Sequence, residues 1–198
     1  MSELFIILIP SLPTPPTEVL EYKSPWNMIN SDGTTIHELG IYRQMNKLCN
    51  GKLMKCCKPA SVHASDKLTN WVKDNLVSEY KALRVNYYIP LADTCNSIGI
   101  HTDKLSEFIL LYNIETGGPD AATTLWQQQN FPLYREPGLS IENTVDLTKV
   151  CQVVGPTGWY LINARILHSV ENVITPRINI QISLTAEQLQ KNGLLNHL

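Results

Sequence analysis

From Leu83 onward, apolar and polar residues alternate in short runs separated by turn residues. Runs of period two predict strands. The expected strands are Leu83–Leu91, Ile98–Asp103, Phe108–Glu115, Thr123–Gln128, Val150–Val154, Trp159–Ala164, Leu167–Val170 and Arg177–Leu184. Gly117, Gly118 and Pro119 mark one turn between them, and Gly155 to Gly158 another. The last run alternates without a break. Arg177, Asn179, Gln181 and Ser183 share one face, and Ile178, Ile180, Ile182 and Leu184 share the other.

Before Leu83 the period changes. Leu68, Trp71, Val72, Leu76 and Tyr80 form one helical stripe, with Asp66 placed to cap it. Thr35 and Glu38 have capping-box spacing, which predicts a helix from there to Leu48, weakened by Gly40. An apolar run from Leu4 to Ile9 predicts one short strand. Pro10, Pro13, Pro15 and Pro16 then predict an extended surface segment. The expected architecture is mostly β, a double-stranded β-helix (jelly roll) braced by N-terminal helices, hence α+β in class. Residues 1–65 read as an N-terminal extension. Residues 66–198 read as a helix plus the jelly-roll core, the whole being a single domain.

Composition narrows the class. The 198 residues are 43% hydrophobic and 17% charged, with a net charge of −2. This is globular composition with no overall polybasic character. The six-residue apolar run is far short of the roughly 20 needed to span a bilayer, and Glu3 replaces the basic start of a signal peptide. No membrane association and a cytoplasmic location are expected. Cys49, Cys56, Cys57, Cys95 and Cys151 are odd in number and irregularly spaced, so they read as free thiols.

The chemistry lies in the strand region. His101 and Asp103 are two residues apart, so a strand aims both at one face. His168 follows a strand-like run, and a jelly roll brings such distant residues together across the barrel. Two imidazoles and a carboxylate on one octahedral ion leave three positions open, the facial set used by non-haem Fe(II) oxygenases. Arg177, nine residues after His168, faces inward on its strand and needs an anion there. Asn86 and Tyr88 share a face of their strand and can bond the same ligand. His37 and His63 lack partners at ligand spacing, and His197 lies in the tail. Lys104 and Arg165 read as solvated charges, with steering of an anionic substrate as the other use. Trp71, Trp126 and Trp159 read as core or rim aromatics.

This pattern resembles the Fe(II)/2-oxoglutarate-dependent oxygenase superfamily over residues 83–184. The stretch from Phe108 to Gly118 resembles the strand and Gly-Gly turn after its first ligands, and that from Gly158 to Asn172 resembles the strand leading into its second His. The resemblance implies that His101, Asp103 and His168 bind Fe(II). Arg177 would hold the distal carboxylate of 2-oxoglutarate, with Tyr88, Asn86 and Asn179 nearby. It also implies hydroxylation of a C–H bond in a peptide, protein side chain or small molecule, with decarboxylation of 2-oxoglutarate to succinate.

The residues from Asn86 to Tyr88, Ser97 to Asp103 and Pro176 to Asn179 resemble the AlkB-like nucleobase demethylases, so nucleic acid is a possible but not favoured partner. Two positions depart from that branch: Ser183 stands in place of a second Arg, and Ser106 in place of an acidic residue. The run from Asn163 to Asn172 resembles the prolyl-hydroxylase-like branch instead. A non-catalytic jelly-roll binding protein with a vestigial metal site is the third reading. Residues 91–97 and 127–148 are the expected substrate loops. Residues 1–54, with Trp26 and Tyr42, are expected to complete the pocket or form a partner surface.

Overall fold

The computed structural model describes residues 6–20, 44–49, 52–57, 60–88, 90, 97–141, 146–155 and 157–197. Its centre is eight strands: β5 (Ala82–Tyr88), β6 (Ile98–His101), β7 (Phe108–Thr116), β8 (Ala122–Gln128), β9 (Leu147–Val154), β10 (Trp159–Asn163), β11 (Leu167–Glu171) and β12 (Arg177–Leu184). The larger sheet contains the order β10-β7-β12-β5, and the smaller sheet is β6-β11-β8-β9. All these pairings are antiparallel. With one exception, at β8 and β9, consecutive strands belong to opposite sheets. That is the double-stranded β-helix expected from the alternation.

Short strands widen the larger sheet at both edges. β1 (Ile6–Leu8) pairs with β10, and β4 (Ala60–His63) pairs with β5. A separate hairpin joins β2 (Gln44–Cys49) to β3 (Lys52–Cys57). The helix expected from Thr35 to Leu48 falls outside the described residues as far as 43, and its last residues are strand instead. The register pairs Cys49 with Lys52, and the sequence between the two strands is Asn50-Gly51. Asn-Gly favours the tight hairpin turn over continued helix. The expected loop at 91–96 and the residues Trp26, His37 and Tyr42 also fall outside the described set.

The helical stripe folds as α1 (Asp66–Asn75). Its cap is Ser65, whose hydroxyl accepts from the Leu68 amide at 3.3 Å, rather than Asp66. Tyr80 lies beyond the helix end. There Asn192 captures the chain, accepting from the Ser78 amide at 2.9 Å and donating to the Glu79 carbonyl at 2.7 Å. Asn192 ends α2 (Ala186–Lys191), a short helix with a full Thr185/Gln188 capping box.

The apolar rows of the larger sheet face these helices. Leu83, Val85, Tyr87, Leu110, Ile178, Ile180 and Ile182 pack with Leu68, Val72, Leu189 and Leu194. Alternation therefore turns Asn86, Arg177, Asn179 and Gln181 toward the space between the sheets. Part of that space is filled by a second apolar cluster that includes Ile109, Leu125, Tyr160, Ile162 and Ile166. The rest is polar. Trp159 is core, 1% exposed, with its indole N–H donating to the Pro13 carbonyl. No helix among the described residues is long and apolar enough to cross a membrane.

Candidate metal centre

His101 and His168 are direct cross-strand partners, because β6 and β11 pair antiparallel with those two residues opposite each other. Their ring centroids are 4.5 Å apart. Each ring is oriented by a backbone carbonyl. Nδ1 of His101 lies 2.7 Å from the Gly99 carbonyl oxygen, and Nδ1 of His168 lies 2.9 Å from that of Ile166. A carbonyl only accepts, so Nδ1 carries the proton in each of these contacts and Nε2 is the ring atom left to face a metal. Both Nε2 atoms face Asp103 Oδ1, at 3.6 and 3.7 Å. One ligand atom from each of the three residues lies within 4.8 Å of the other two, a group able to hold one metal ion.

Asp103 lies two residues beyond the end of β6 rather than within the strand expected for it. β6 ends at His101, and Thr102 pairs with a loop instead of a strand. Buried Thr102 donates from Oγ1 to the Glu136 carbonyl at 2.7 Å and accepts from the Leu139 amide at 3.0 Å. The Asp103 amide donates to the Ala164 carbonyl at 3.1 Å. The expected substrate loop thus clamps the metal-ligand segment, and Tyr134 bridges to Ile166, two residues before His168. Burial pushes the Asp103 carboxyl up. The hydrogen bonds and charges of His101 and His168 outweigh that, holding it well below the usual carboxylate range. The side chain of His168 is 8% exposed and that of His101 is 31%, so the group opens to solvent on the β6 side.

Arg177 begins β12 and is 1% exposed. Its Nη2 donates to Thr123 Oγ1 and to Tyr160 Oη, each at 3.0 Å, and its Nε has no partner among the described residues. No carboxylate pairs with it among the described residues. Glu171 does not serve as its partner: it accepts from Thr124 at 2.7 Å and meets Lys149. Gly117, at φ +94°, lets the chain pass beneath this arginine. A Cβ there would lie 3.0 Å from both Arg177 Cβ and Val173 Cγ1.

Tyr88 lies opposite Arg177 in the β5–β12 register, and Asn86 lies opposite Asn179. Asn86 Nδ2 donates to Asn179 Oδ1 at 3.1 Å and also to Gln181 Oε1. Gln181 Nε2 in turn donates to Asp103 Oδ2 at 3.4 Å. The two amides are thus tied to the carboxylate of the triad. Thr123 and Tyr160 escaped the sequence reading, although strand alternation opposite Trp159 and Leu161 already turns Tyr160 inward. Arg165 is not simply solvated, since its Nη1 is buried without a partner. His63 is exposed. Trp126 is a rim residue, its indole N–H bonded to Ser169 Oγ at 2.8 Å.

No family model matches the sequence, and no curated protein matches it significantly. Some solved structures are similar to it. The chain is similar to ycfD from E. coli (12% identity, 86% of this chain and 49% of that one, TM-score 0.43). It is similar to a prolyl hydroxylase from Trichoplax adhaerens in complex with a hypoxia-inducible-factor peptide (11%, 96% and 85%, 0.43). It is also similar to HygX from Streptomyces hygroscopicus, bound to nickel, 2-oxoglutarate and hygromycin B (13%, 91% and 82%, 0.34). The chain spans about half the length of ycfD. Its fold assignment rests on its own strand order.

Proposed function

We propose that the chain is an Fe(II)- and 2-oxoglutarate-dependent dioxygenase that hydroxylates a C–H bond. The observation that carries this reading is Arg177: a guanidinium buried to 1% exposure, bonded among the described residues only to neutral oxygens and with Nε unpartnered there, on the inward row of the larger sheet, across from the smaller sheet whose β6 and β11 carry His101 and His168. A buried cation without an anion is costly, and a carboxylate satisfies its fork. The residues fit both groups. His101, Asp103 and His168 would hold the ion, whose preference for mixed imidazole and carboxylate ligands leaves room for a chelating acid and O₂. Arg177, with the hydroxyls of Thr123 and Tyr160, would hold the far carboxylate of 2-oxoglutarate. Arg177 and Gln181 are four residues apart on β12, about 13 Å along the strand. The anion site therefore lies away from the triad instead of competing with it.

When bound, iron would activate O₂, the oxidant, with 2-oxoglutarate as the co-reductant that takes up one oxygen atom on decarboxylation to succinate. The protein's part is positional. The two Nδ1–carbonyl bonds fix both imidazole planes, the Thr102 clamp fixes the approach of Asp103, and the apolar cluster around Tyr160 closes the cavity on one side. The prime substrate enters from the exposed His101 side, as a peptide, protein side chain or small molecule.

The nucleobase-demethylase reading receives less support. Its two departures, Ser106 and Ser183, touch each other: Ser106 Oγ donates to Ser183 Oγ at 2.8 Å, and both residues are buried. A neutral hydroxyl pair stands where that branch carries opposite charges. The test is succinate formation from 2-oxoglutarate with added Fe(II), followed by a mass-spectrometric screen for substrates that gain one oxygen atom. No succinate and no cosubstrate binding would refute the reading and favour a vestigial site.

A further inference from the structure

We infer that Gln181 is a positioning residue for the metal centre, and that Asn86 supports its orientation through a chain of hydrogen bonds ending on Asp103. The inference rests on the metal-centre reading above. The exposed hydroxyl of Ser61 on β4 donates to Asn86 Oδ1. With its oxygen used in this way, Asn86 turns Nδ2 toward Gln181 and Asn179. Gln181 Oε1 accepts from Asn86, which leaves Gln181 Nε2 to face Asp103 Oδ2 at 3.4 Å. An amide has one accepting end and one donating end. A carboxylate only accepts, so Asp103 requires Nε2 of Gln181 to face it, and Asn86 Nδ2 supports that orientation from the Oε1 side. A flipped Gln181 would set an oxygen against the carboxylate.

The consequence falls on coordination. Both imidazole Nε2 atoms converge on Asp103 Oδ1, while Gln181 holds Oδ2. Asp103 is thereby kept as a one-oxygen ligand. Were Oδ2 to swing onto the same ion, it would take one of the three positions a facial triad leaves open. Asn86 and Gln181 therefore act through Asp103, and Asn86 is removed from direct contact with a cosubstrate.

The test uses Co(II) as the probe, titrated into the full chain and followed by its visible absorption. Gln181→Met keeps length and volume but cannot donate, and Gln181→Leu serves as the second variant. Each is expected to weaken Co(II) binding about 10–100-fold, the usual effect of losing an outer-shell partner. Their Co(II) spectra should shift with the changed carboxylate, and the urea midpoint of the metal-free protein should hold. Asn86→Ala should cause a smaller loss. The Asn86→Ala, Gln181→Met double variant should bind no more weakly than Gln181→Met alone, because the two residues act in series. Parent-like Co(II) affinity and spectrum in both Gln181 variants would overturn the inference, as would additive losses. So would a fall in metal-free stability large enough to account for the lost affinity. A parent chain that binds no Co(II) at all would instead refute the metal-centre reading itself.

Discussion

Replacing Arg177 separates two energies of opposite sign. Without ligand, its guanidinium is buried and meets only neutral oxygens, so it carries a desolvation cost that no anion offsets. Arg177→Met fills the space with an unbranched apolar chain and removes that cost. The metal-free, ligand-free protein should unfold at the same temperature as the parent or higher. With 2-oxoglutarate the sign reverses. The variant leaves a carboxylate buried opposite no cation, costing about 3–5 kcal/mol, or roughly two to four orders of magnitude in affinity. The assay is calorimetric unfolding with Mn(II) and 2-oxoglutarate, at a ligand concentration 100 times the parent's Kd. Binding then stabilises the parent by about 2.7 kcal/mol. For a chain of 198 residues this raises Tm by about 5–11 °C. In Arg177→Met the same concentration is at or below Kd, so the shift falls below about 2 °C. Arg177→Lys should recover part of it, having the charge without the fork. A parent-sized shift in Arg177→Met would refute the anion site, and a large loss of ligand-free stability would refute the claim that the guanidinium is uncompensated.

Three further outcomes follow. His168→Ala should abolish Co(II) binding measured by absorption while leaving the strands intact by circular dichroism; retained binding would place the ion elsewhere. Asp103, whose pKa is depressed in the folded protein, contributes stability that is present above the unfolded carboxylate value of about 4 and lost as pH falls through the folded one. The gap in urea midpoint between the metal-free parent and Asp103→Asn should therefore be widest near neutral pH and narrow below pH of about 4; a constant gap would show that the two imidazoles do not stabilise the carboxylate. Thr102→Val should strand the Leu139 amide and the Glu136 carbonyl, costing about 1–3 kcal/mol in denaturant unfolding and increasing protease cleavage between residues 132 and 141. Unchanged cleavage would show that the loop is held without that clamp.

The strands were legible because each has a buried face, and burial imposes the alternation that was read. Arg177–Leu184 matches residue for residue. Asn192 was not legible as the stop to α1, because it acts on Ser78 from 114 residues away. The strands at 44–49 and 52–57 were not legible, because the capping spacing of Thr35 and Glu38 pointed to a helix through Leu48. The site residues separate in the same way. His101, Asp103, His168 and Arg177 stand at motif spacing. Thr123 and Tyr160 meet Arg177 only because β8 and β10, in different sheets, face each other across the barrel.

The strand faces also explain why so apolar a chain holds a polar cavity. In a sandwich whose outer faces meet water, the inward row of each strand is apolar and the outward row polar. Here helices cover the larger sheet, so its outer row is the apolar one: Ile178, Ile180 and Ile182 pack beneath α1 and α2. That burial supplies hydrophobic stabilisation outside the space between the sheets, which the second apolar cluster fills only in part. The inward row of β12 is then free to carry Arg177, Asn179, Gln181 and Ser183. A shift of β12 by one residue would place three isoleucines against the triad and four polar side chains under the helices. The same burial that fixes the register of β12 therefore aims Arg177 and Gln181 into the cavity. Polar substitutions at Ile180 or Ile182, remote from the metal centre, should accordingly weaken Co(II) binding through the register of the strand.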